Sequence, residues 1–113
     1  MENFSTTIIN DIIVESVMVK RATRKEAEEF KIRMQKHIDD GFRKMIVDLV
    51  KCEFVDSTFL SALLVILKSL LADGRILKLV STPQEVDSIL EFTGMKKVFA
   101  VYTNKEEAIQ SFK

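Results

Sequence analysis

The segment Asp56-Ser57-Thr58 contains the side chains with the clearest potential for chemistry: a carboxylate and two hydroxyls directly before a long apolar run. Either Asp56 or Ser57 would cap a helix there, because its side-chain oxygen accepts hydrogen bonds from the free backbone N–H groups of the first turn. A hydroxyl in the same turn is also well placed to carry a phosphate, since the helix macrodipole favours an added anion. The residues alone leave both interpretations open, helix cap and phosphoacceptor, and capping is the more common use of such a run.

A phosphate at this position would act mainly on a binding surface. It would add roughly two negative charges beside Asp56, and the positive end of the helix would offset part of the repulsion. The fold would therefore persist, whereas a partner that docks on the unmodified surface would be repelled. One hydroxyl could thus control an interaction without reshaping the domain.

The other reactive side chains indicate no catalytic centre. His37 is the only histidine, and the charged residues around it, among them Lys36 and Asp39, favour a solvated surface position. Cys52 is the only cysteine, and we interpret it as a small residue near a strand end rather than a reactive thiol. The sequence contains no glycine-rich phosphate loop, no Ser-His-Asp set and no cluster of metal-ligating residues. We therefore expect a protein without catalytic residues, metal or cofactor.

The composition is that of one globular domain. The 113 residues are 47% apolar and 30% charged, with 17 acidic and 17 basic residues, so we expect a single domain over residues 1–113. The charge balance argues against charge-driven binding to nucleic acid or to an anionic membrane. The most apolar stretch, residues 59–72, is shorter than the roughly 20 residues that span a bilayer, and residues 1–4 do not begin a secretory signal. We expect a cytoplasmic protein that does not insert into membranes.

Strands are predicted by short apolar runs with partial alternation. They cover residues 6–10, 12–19, 45–49, 76–80 and 98–102. The first two, joined by little more than Asp11, should form a hairpin at one edge of a sheet. Because strand and helix alternate after residue 40, the later strands should be parallel with right-handed crossovers. The pattern predicts an α/β fold: a mixed, mostly parallel β-sheet of about five strands with an N-terminal edge hairpin, and about four α-helices.

Helix termini are marked by capping residues. Thr23 and Glu26 have the spacing of a capping box for the first helix, which Gly41 ends. The second helix runs from Asp56 or Ser57 to about residue 74. The remaining signals are Thr82 with Pro83 and Glu85 at the start of the third helix, Gly94 at its end, and Asn104 at the start of the fourth.

The second helix carries apolar residues around most of its circumference. Ser61, Lys68 and Ser69 mark its wetter side. The opposite stripe, at spacings of three and four, is predicted to face the core. It consists of Leu60, Leu63, Leu64, Leu67, Leu70 and Leu71. The flank between the two sides, formed by Phe59, Ala62 and Ile66, is either covered by neighbouring elements or exposed as a surface on which a partner docks. The sequence alone gives these alternatives equal weight.

Four pieces of the sequence follow one another in an informative order. Residues 44–49 (KMIVDL) and 52–58 (CEFVDST) look like a strand, a loop and a phosphorylatable D-S-[ST] turn, and residues 72–77 (ADGRIL) look like the next turn and strand. Residues 90–99 fit the signature L-x-x-[TS]-G-[LM]-x-x-x-F. In this order, and over about residues 8–108, the set resembles the STAS domain, the family of sulfate transporters and anti-sigma-factor antagonists.

The resemblance implies a protein-binding switch rather than an enzyme. In free-standing bacterial members of this family, the residue after D-S is a serine or threonine that a partner kinase phosphorylates, and that kinase is commonly the anti-sigma factor itself. The unphosphorylated antagonist binds the anti-sigma factor and frees a sigma factor for transcription, and a phosphatase resets the cycle. By this resemblance Thr58 is the phosphoacceptor and Asp56 and Ser57 are its neighbours. The chain is then a kinase substrate and a binder, as a monomer or a weak dimer.

Two departures from the family pattern bear on partner binding. The family usually has glycine after the acceptor, where this chain has Phe59, a large residue that must anchor a partner or obstruct one. The family's G-x-[LV]-D turn corresponds to Lys20-Arg21-Ala22-Thr23, whose two bases would complement an acidic partner or a phosphate on Thr58. An alternative function, which Phe59 favours, is an unphosphorylated scaffold subunit of a larger assembly, such as a transporter-associated one. The candidate partner-binding residues are Lys20, Arg21, Thr23, Phe59, Ala62 and Ile66.

Overall fold

The computed structural model describes residues 2–81 and 84–113, and within them five strands form one mixed sheet with four α-helices packed against it. A short 3-10 helix and two short strands outside the sheet complete the chain. The elements are β1 (Phe4–Ile9), β2 (Ile12–Val17), β3 (Arg21–Ala22), α1 (Arg24–Asp39), β4 (Lys44–Asp48), β5 (Phe54–Val55), α2 (Ser57–Ala72), β6 (Ile76–Val80), α3 (Gln84–Phe92), the 3-10 helix (Met95–Lys97), β7 (Ala100–Tyr102) and α4 (Lys105–Gln110).

The strand order of the sheet is β1-β2-β4-β6-β7. The hairpin strands β1 and β2 pair antiparallel, and every later pair in the sheet is parallel. The predicted α/β class, with a mostly parallel sheet and an N-terminal edge hairpin, is confirmed. In addition, β3 and β5 pair in parallel outside the main sheet. Each has only two residues, which is too short for hydrophobic periodicity to predict.

The hairpin turn consists of Asn10 and Asp11. Asn10 has a positive φ of 57°, in the left-handed region that asparagine adopts more readily than most residues. The Asp11 carboxylate pairs with the Lys44 ammonium at 2.8 Å, and this hydrogen bond holds the pKa of Asp11 below its ordinary value. The turn is thereby tied to the start of β4.

The predicted helix caps are confirmed wherever the structure describes them. The Thr23 hydroxyl accepts from the backbone of Lys25, and the Glu26 carboxylate accepts from the backbone of Thr23 at 2.8 Å, which completes the capping box. Asn104 accepts from the backbone of Glu107 at 2.8 Å at the start of α4. The predicted cap at Thr82 and Pro83 lies outside the described residues, as does the side chain of Glu85.

The last strand begins later than the sequence predicts. The 3-10 helix precedes it, and the backbone N–H groups of Val98 and Phe99 both donate to the Met95 carbonyl oxygen, at 3.0 and 2.9 Å. Because these two donors are used within the turn, they cannot join the ladder with β6. The strand therefore starts at Ala100 rather than at Val98.

The sheet has an apolar core on each face. The larger core lies between the sheet and α1, α2 and α3, and the smaller one lies beneath α4. Because successive residues of a strand point to opposite faces, Met45 and Val47 of β4 belong to the larger core while Ile46 belongs to the smaller. In the parts of the chain that the structure describes, no helix has the length and apolarity needed to cross a membrane.

Candidate functional site

The carboxylate of Asp56 caps two helices at once. Its Oδ1 atom accepts from the backbone N–H of Phe59 in the first turn of α2 at 2.8 Å. Its Oδ2 atom accepts from the backbone N–H of Arg24, the first residue of α1, at 3.0 Å. The positive ends of α1 and α2 therefore meet at one acidic side chain. Of the two predicted caps for the second helix, the structure selects Asp56 rather than Ser57.

The β3–β5 pair brings the predicted basic segment next to this cap. The Lys20 carbonyl oxygen accepts from the backbone of Glu53 at 2.7 Å, and the Ala22 carbonyl oxygen accepts from the backbone of Asp56 at 3.0 Å. The guanidinium of Arg21 lies over the ring of Phe54, 4.2 Å from its centroid. Residues 20–23 and 53–56 thus lie side by side, although about 30 residues separate them in sequence.

Ser57 and Thr58 are both exposed on the first turn of α2. Within the described residues, neither hydroxyl takes part in a hydrogen bond. Arg24 and Lys25, at the start of α1, are also exposed. The candidate phosphoacceptor hydroxyl, two helix N-termini and a basic segment therefore share one surface region. We call this region, formed by residues 20–25 and 56–58, the acceptor site.

The flank of α2 is not a free surface. Phe59, Ala62 and Ile66 are all buried, and the Phe59 side chain has no exposed area. The Phe59 ring packs on the Phe30 ring of α1, with centroids 4.9 Å apart. The structure contradicts the interpretation of this flank as a docking surface, because its three side chains are buried and α1 packs on Phe59. Phe59 is a core residue and contributes no exposed surface to the acceptor site.

The exposed face of α2 lies in line with Thr58 instead. Ser61, Val65 and Lys68 follow Thr58 at spacings of three, four and three residues, and all are exposed, so they form one stripe. Val65 is 57% exposed. We call this stripe the α2 outer face. The predicted core stripe is correct except at its C-terminal end, where Leu71 is 59% exposed because α2 is about to end.

Cys52 is buried and chemically quiet. Its thiol lies 3.9 Å from the Val17 carbonyl oxygen and has no exposed area. Burial, with smaller contributions from the negative charges of Asp48 and Glu26, raises the pKa of Cys52 to about 12, so the nucleophilic thiolate is scarce at neutral pH. Within the described residues, no group of acidic, histidine or cysteine side chains is arranged to hold a metal ion.

His37 lies in the interior, which corrects the prediction of a solvated histidine. The residue is 6% exposed, and its Nε2 atom lies 2.6 Å from the Oε1 atom of Glu15 on β2. Glu15 is 1% exposed and also accepts from Arg33 Nε at 2.9 Å and from the Thr6 hydroxyl at 2.8 Å. Sequence reasoning missed this cluster. The available signal was a lone acid inside the apolar run of β2.

The comparisons with known proteins agree with this architecture. The sequence model described as the STAS domain matches residues 23–108. The chain belongs to the STAS domain family. This match includes the whole of α1, the strand β5 of the small sheet and the complete first turn of α2. The acceptor site therefore lies mostly within the part of the chain that defines its family.

Individual STAS relatives match at low identity over most of the chain. A Thermotoga maritima protein with the provisional name of anti-sigma factor antagonist is 26% identical over 108 residues, 95% of each chain. A Thermotoga maritima crystal structure provisionally described in the same way has a TM-score of 0.86 and 25% identity, and covers 96% of this chain and 92% of that one. BtrV of Bordetella bronchiseptica, also provisionally named an anti-sigma factor antagonist, is 26% identical over 77% of this chain and 75% of its own.

The STAS fold of this chain also matches a solved phosphoprotein. The structure of the Bacillus cell fate determinant SpoIIAA in its phosphorylated form has a TM-score of 0.75 and 17% identity. The match covers 97% of this chain and 99% of SpoIIAA. At this identity the likeness establishes a common fold.

Proposed function

We propose that this STAS-domain protein is an anti-sigma factor antagonist that is switched by phosphorylation of Thr58. Unphosphorylated, it binds an anti-sigma factor and thereby releases a sigma factor for transcription. The observation that carries the proposal is the exposed Thr58 hydroxyl on the first turn of α2, beside the carboxylate that holds two helix N-termini together.

The relatives support this assignment. Two of them have the provisional name of anti-sigma factor antagonist, and SpoIIAA shares the fold in a phosphorylated form. In this group a STAS domain binds a protein partner and is the substrate of a kinase. A separate serine/threonine kinase, commonly the anti-sigma factor itself, therefore binds ATP and catalyses the phosphorylation. A phosphatase removes the phosphate, and all partners meet the protein in the cytoplasm.

The geometry supports a switch that leaves the fold in place. A phosphate on Thr58 adds about two negative charges at the positive end of α2, and the exposed bases Arg24 and Lys25 lie at the adjoining end of α1. These groups offset the repulsion from Asp56. The uncharged residues Ser61 and Val65 of the α2 outer face lie next to Thr58 along the helix. A partner bound to this face would therefore meet the new phosphate charge at the edge of its interface.

The function first predicted as an alternative, an unphosphorylated scaffold subunit, loses the observation that favoured it. That observation was Phe59, which lies in the core. Purification of the protein from its own cells tests the two assignments against each other. A kinase of the anti-sigma type should co-purify with it, whereas a membrane ATPase in its place would favour the scaffold.

The phosphoacceptor can be identified with a matched pair of variants. Incubation with the partner kinase and ATP should add the mass of one phosphate to the wild-type protein and to Ser57→Ala, but not to Thr58→Ala. The two residues are adjacent and both exposed, so they differ little except in their position on the helix. A modification that persists in Thr58→Ala and disappears in Ser57→Ala would identify Ser57 as the phosphoacceptor and contradict the assignment to Thr58.

The binding surface can be mapped with charges on α2. Thr58→Glu and Val65→Glu should each weaken binding to the anti-sigma factor by at least about tenfold, because a buried like charge or an unpaired charge at an interface is costly. Leu71→Glu is the control, since Leu71 is equally exposed but lies at the C-terminal end of α2, 13 positions after Thr58, and it should bind like wild type. Calorimetric titration gives the affinities. If Leu71→Glu weakens binding while Val65→Glu does not, the partner occupies a different face.

A further inference from the structure

One edge of the main sheet is open. β1 is the outermost strand, and it pairs on one side only, with β2. The Asn3 carbonyl oxygen accepts from the backbone N–H of Met18 at 2.8 Å, and hydrogen-bonded pairs alternate along an antiparallel ladder. The backbone N–H and C=O groups of Phe4, Thr6 and Ile8 therefore point away from β2. Within residues 2–81 and 84–113, these outward groups form no hydrogen bond.

The open edge lacks the features that keep the edge strands of natural proteins apart. Those features are charged side chains, proline, bulges and short length. β1 has six residues, FSTTII, with no charge and no proline, and its register with β2 is continuous. Ile8 on this strand is 57% exposed. The opposite edge strand, β7, has only three residues, so β1 is the edge to which a further strand can add.

A stripe of α1 borders the open edge. The Arg33 guanidinium donates to the Thr6 hydroxyl at 2.8 Å, and Lys36 and Ile8 line the same surface depression, so α1 runs along β1 in the same direction. Glu29 lies four positions before Arg33 and Lys36 three positions after it, which places all three on one side of the helix. Glu29 and Lys36 are exposed. The stripe therefore has an acidic end and a basic end.

A second copy of the chain complements this edge. We propose that β1 pairs antiparallel with β1 of another copy about a twofold axis at Thr6, which joins the two five-stranded sheets into one. Each outward N–H then meets an outward C=O, and Phe4 stands opposite Ile8 of the second copy and covers it. The same axis places the acidic end of one α1 stripe beside the basic end of the other. Glu29 thus faces Lys36 across the interface twice.

The dimer should be weak and should leave the acceptor site free. The two Arg33 guanidinium groups approach each other near the axis, but each is bonded to Glu15 of its own copy at 2.9 Å, which reduces their repulsion. A single edge strand buries less than the roughly 1,200 Å² of a stable interface, so we expect a dissociation constant in the micromolar range or weaker. The acceptor site lies at the start of α1, about 14 Å along the helix from Arg33, so both copies keep it exposed.

Sedimentation equilibrium of the purified protein tests the association. The weight-average mass should rise from that of one chain towards that of two as the concentration increases from roughly 10 μM to 1 mM. Ile8→Lys adds the charge that protects natural edge strands and should weaken the association by at least about tenfold. Val98→Lys is the matched control, because Val98 is 54% exposed and precedes β7 at the opposite edge. It should associate like wild type.

An exchange of charges tests the register of the pair. Glu29→Lys and Lys36→Glu should each weaken the association by about three- to tenfold, because each variant creates two like-charge contacts across the axis. The double variant exchanges both charges and should restore the association to within about twofold of wild type. Within one copy the two residues are about 10 Å apart along the helix, so this rescue requires two copies.

Amide exchange with solvent locates the contact on β1. At high concentration the backbone N–H groups of Thr6 and Ile8 should exchange more slowly than at low concentration, because the second copy accepts from them. The N–H of Thr7 points towards β2 and should change little. Residue-resolved NMR spectra of the protein in deuterated solvent compare the three groups.

Four results would overturn the proposal. A mass that stays at that of one chain at roughly 1 mM leaves the edge to solvent or to an extended segment of another protein. An association that survives Ile8→Lys, or that leaves the Thr6 and Ile8 amides unprotected, uses another surface. A double charge variant as weak as the single variants contradicts the register. None of these results bears on Thr58, so the proposed switch stands or fails separately.

Discussion

The two ends of α1 are each held by a carboxylate from another element, but the carboxylates are recognised by different kinds of donor. At the N-terminus, Asp56 accepts from two backbone N–H groups and lies partly in solvent. Towards the C-terminus, Glu15 accepts from three side chains and is almost fully buried. Backbone donors are present wherever a helix begins. Side-chain donors must be supplied by particular residues at particular positions.

Because of this difference, the two ends of α1 differ in how well they tolerate a change of charge. Water can replace a partly solvated cap at modest cost in free energy, so we expect the acceptor site to tolerate the proposed phosphate on Thr58. A buried carboxylate with three partners has no such substitute, because water does not reach it. The proposed switch thus lies at the end of α1 where a change of charge costs less free energy of folding.

The largest effect is expected at the buried end. Glu15→Ala should lower the free energy of unfolding by about 2–4 kcal/mol, because it leaves His37 and Arg33 without their acceptor. The expected loss lies below that of a fully buried ion pair, since Arg33 keeps 31% of its side chain exposed. Urea denaturation followed by circular dichroism measures it.

Two variants sharpen this measurement. Glu15→Gln retains the volume and one acceptor oxygen, so its loss should be smaller than that of Glu15→Ala. Glu28→Ala removes an exposed glutamate of α1 whose contact with Lys31 lies at the surface, and it should change stability by less than about 0.5 kcal/mol. If Glu15→Ala behaves like Glu28→Ala, the buried cluster contributes nothing to stability and the contrast between the two ends fails.

A smaller effect is expected at the exposed end. Asp56→Ala should lower the free energy of unfolding by about 1–2 kcal/mol, because two helices lose a capping acceptor. Asp56→Asn should lie between this variant and wild type, since an amide has one oxygen that accepts and a nitrogen that does not. The same denaturation experiment compares them. Thr58→Ala is the control and should remain within about 0.5 kcal/mol of wild type. An Asp56→Asn variant as stable as wild type would mean that one of the two caps is energetically irrelevant.

The sequence predicts most of the fold because its boundaries are set by local signals. The Thr23 capping box, the Asp56 cap and the Asn104 cap each depend on residues within three positions of one another. Gly41 and Gly94 end their helices with the positive φ values of 92° and 77° that glycine adopts freely. Such signals are visible without any knowledge of tertiary packing.

The errors concern contacts between residues far apart in the chain. Phe59 stands among the candidate partner-binding residues because nothing local in the sequence indicates that Phe30 covers it. His37 was expected in solvent because its neighbours in sequence are charged, while the residue that draws it inwards, Glu15, is 22 positions away. Helix periodicity states which side chains share a face, but it does not state what packs on that face.

The register of the parallel strands has a consequence for how the chain folds. Ile12 pairs with Lys44, and Lys44 pairs with Ile76, so each of these two ladders joins residues 32 positions apart. The chain must close a loop of that length, and lose the corresponding entropy, before the first hydrogen bond of a ladder forms. The rate of folding is then set by these long-range closures rather than by the formation of single helices. The β3–β5 pair, which holds the acceptor site together, would shorten the first of these searches, because Ile12 and Lys44 lie within about ten positions of the paired residues Arg21 and Phe54.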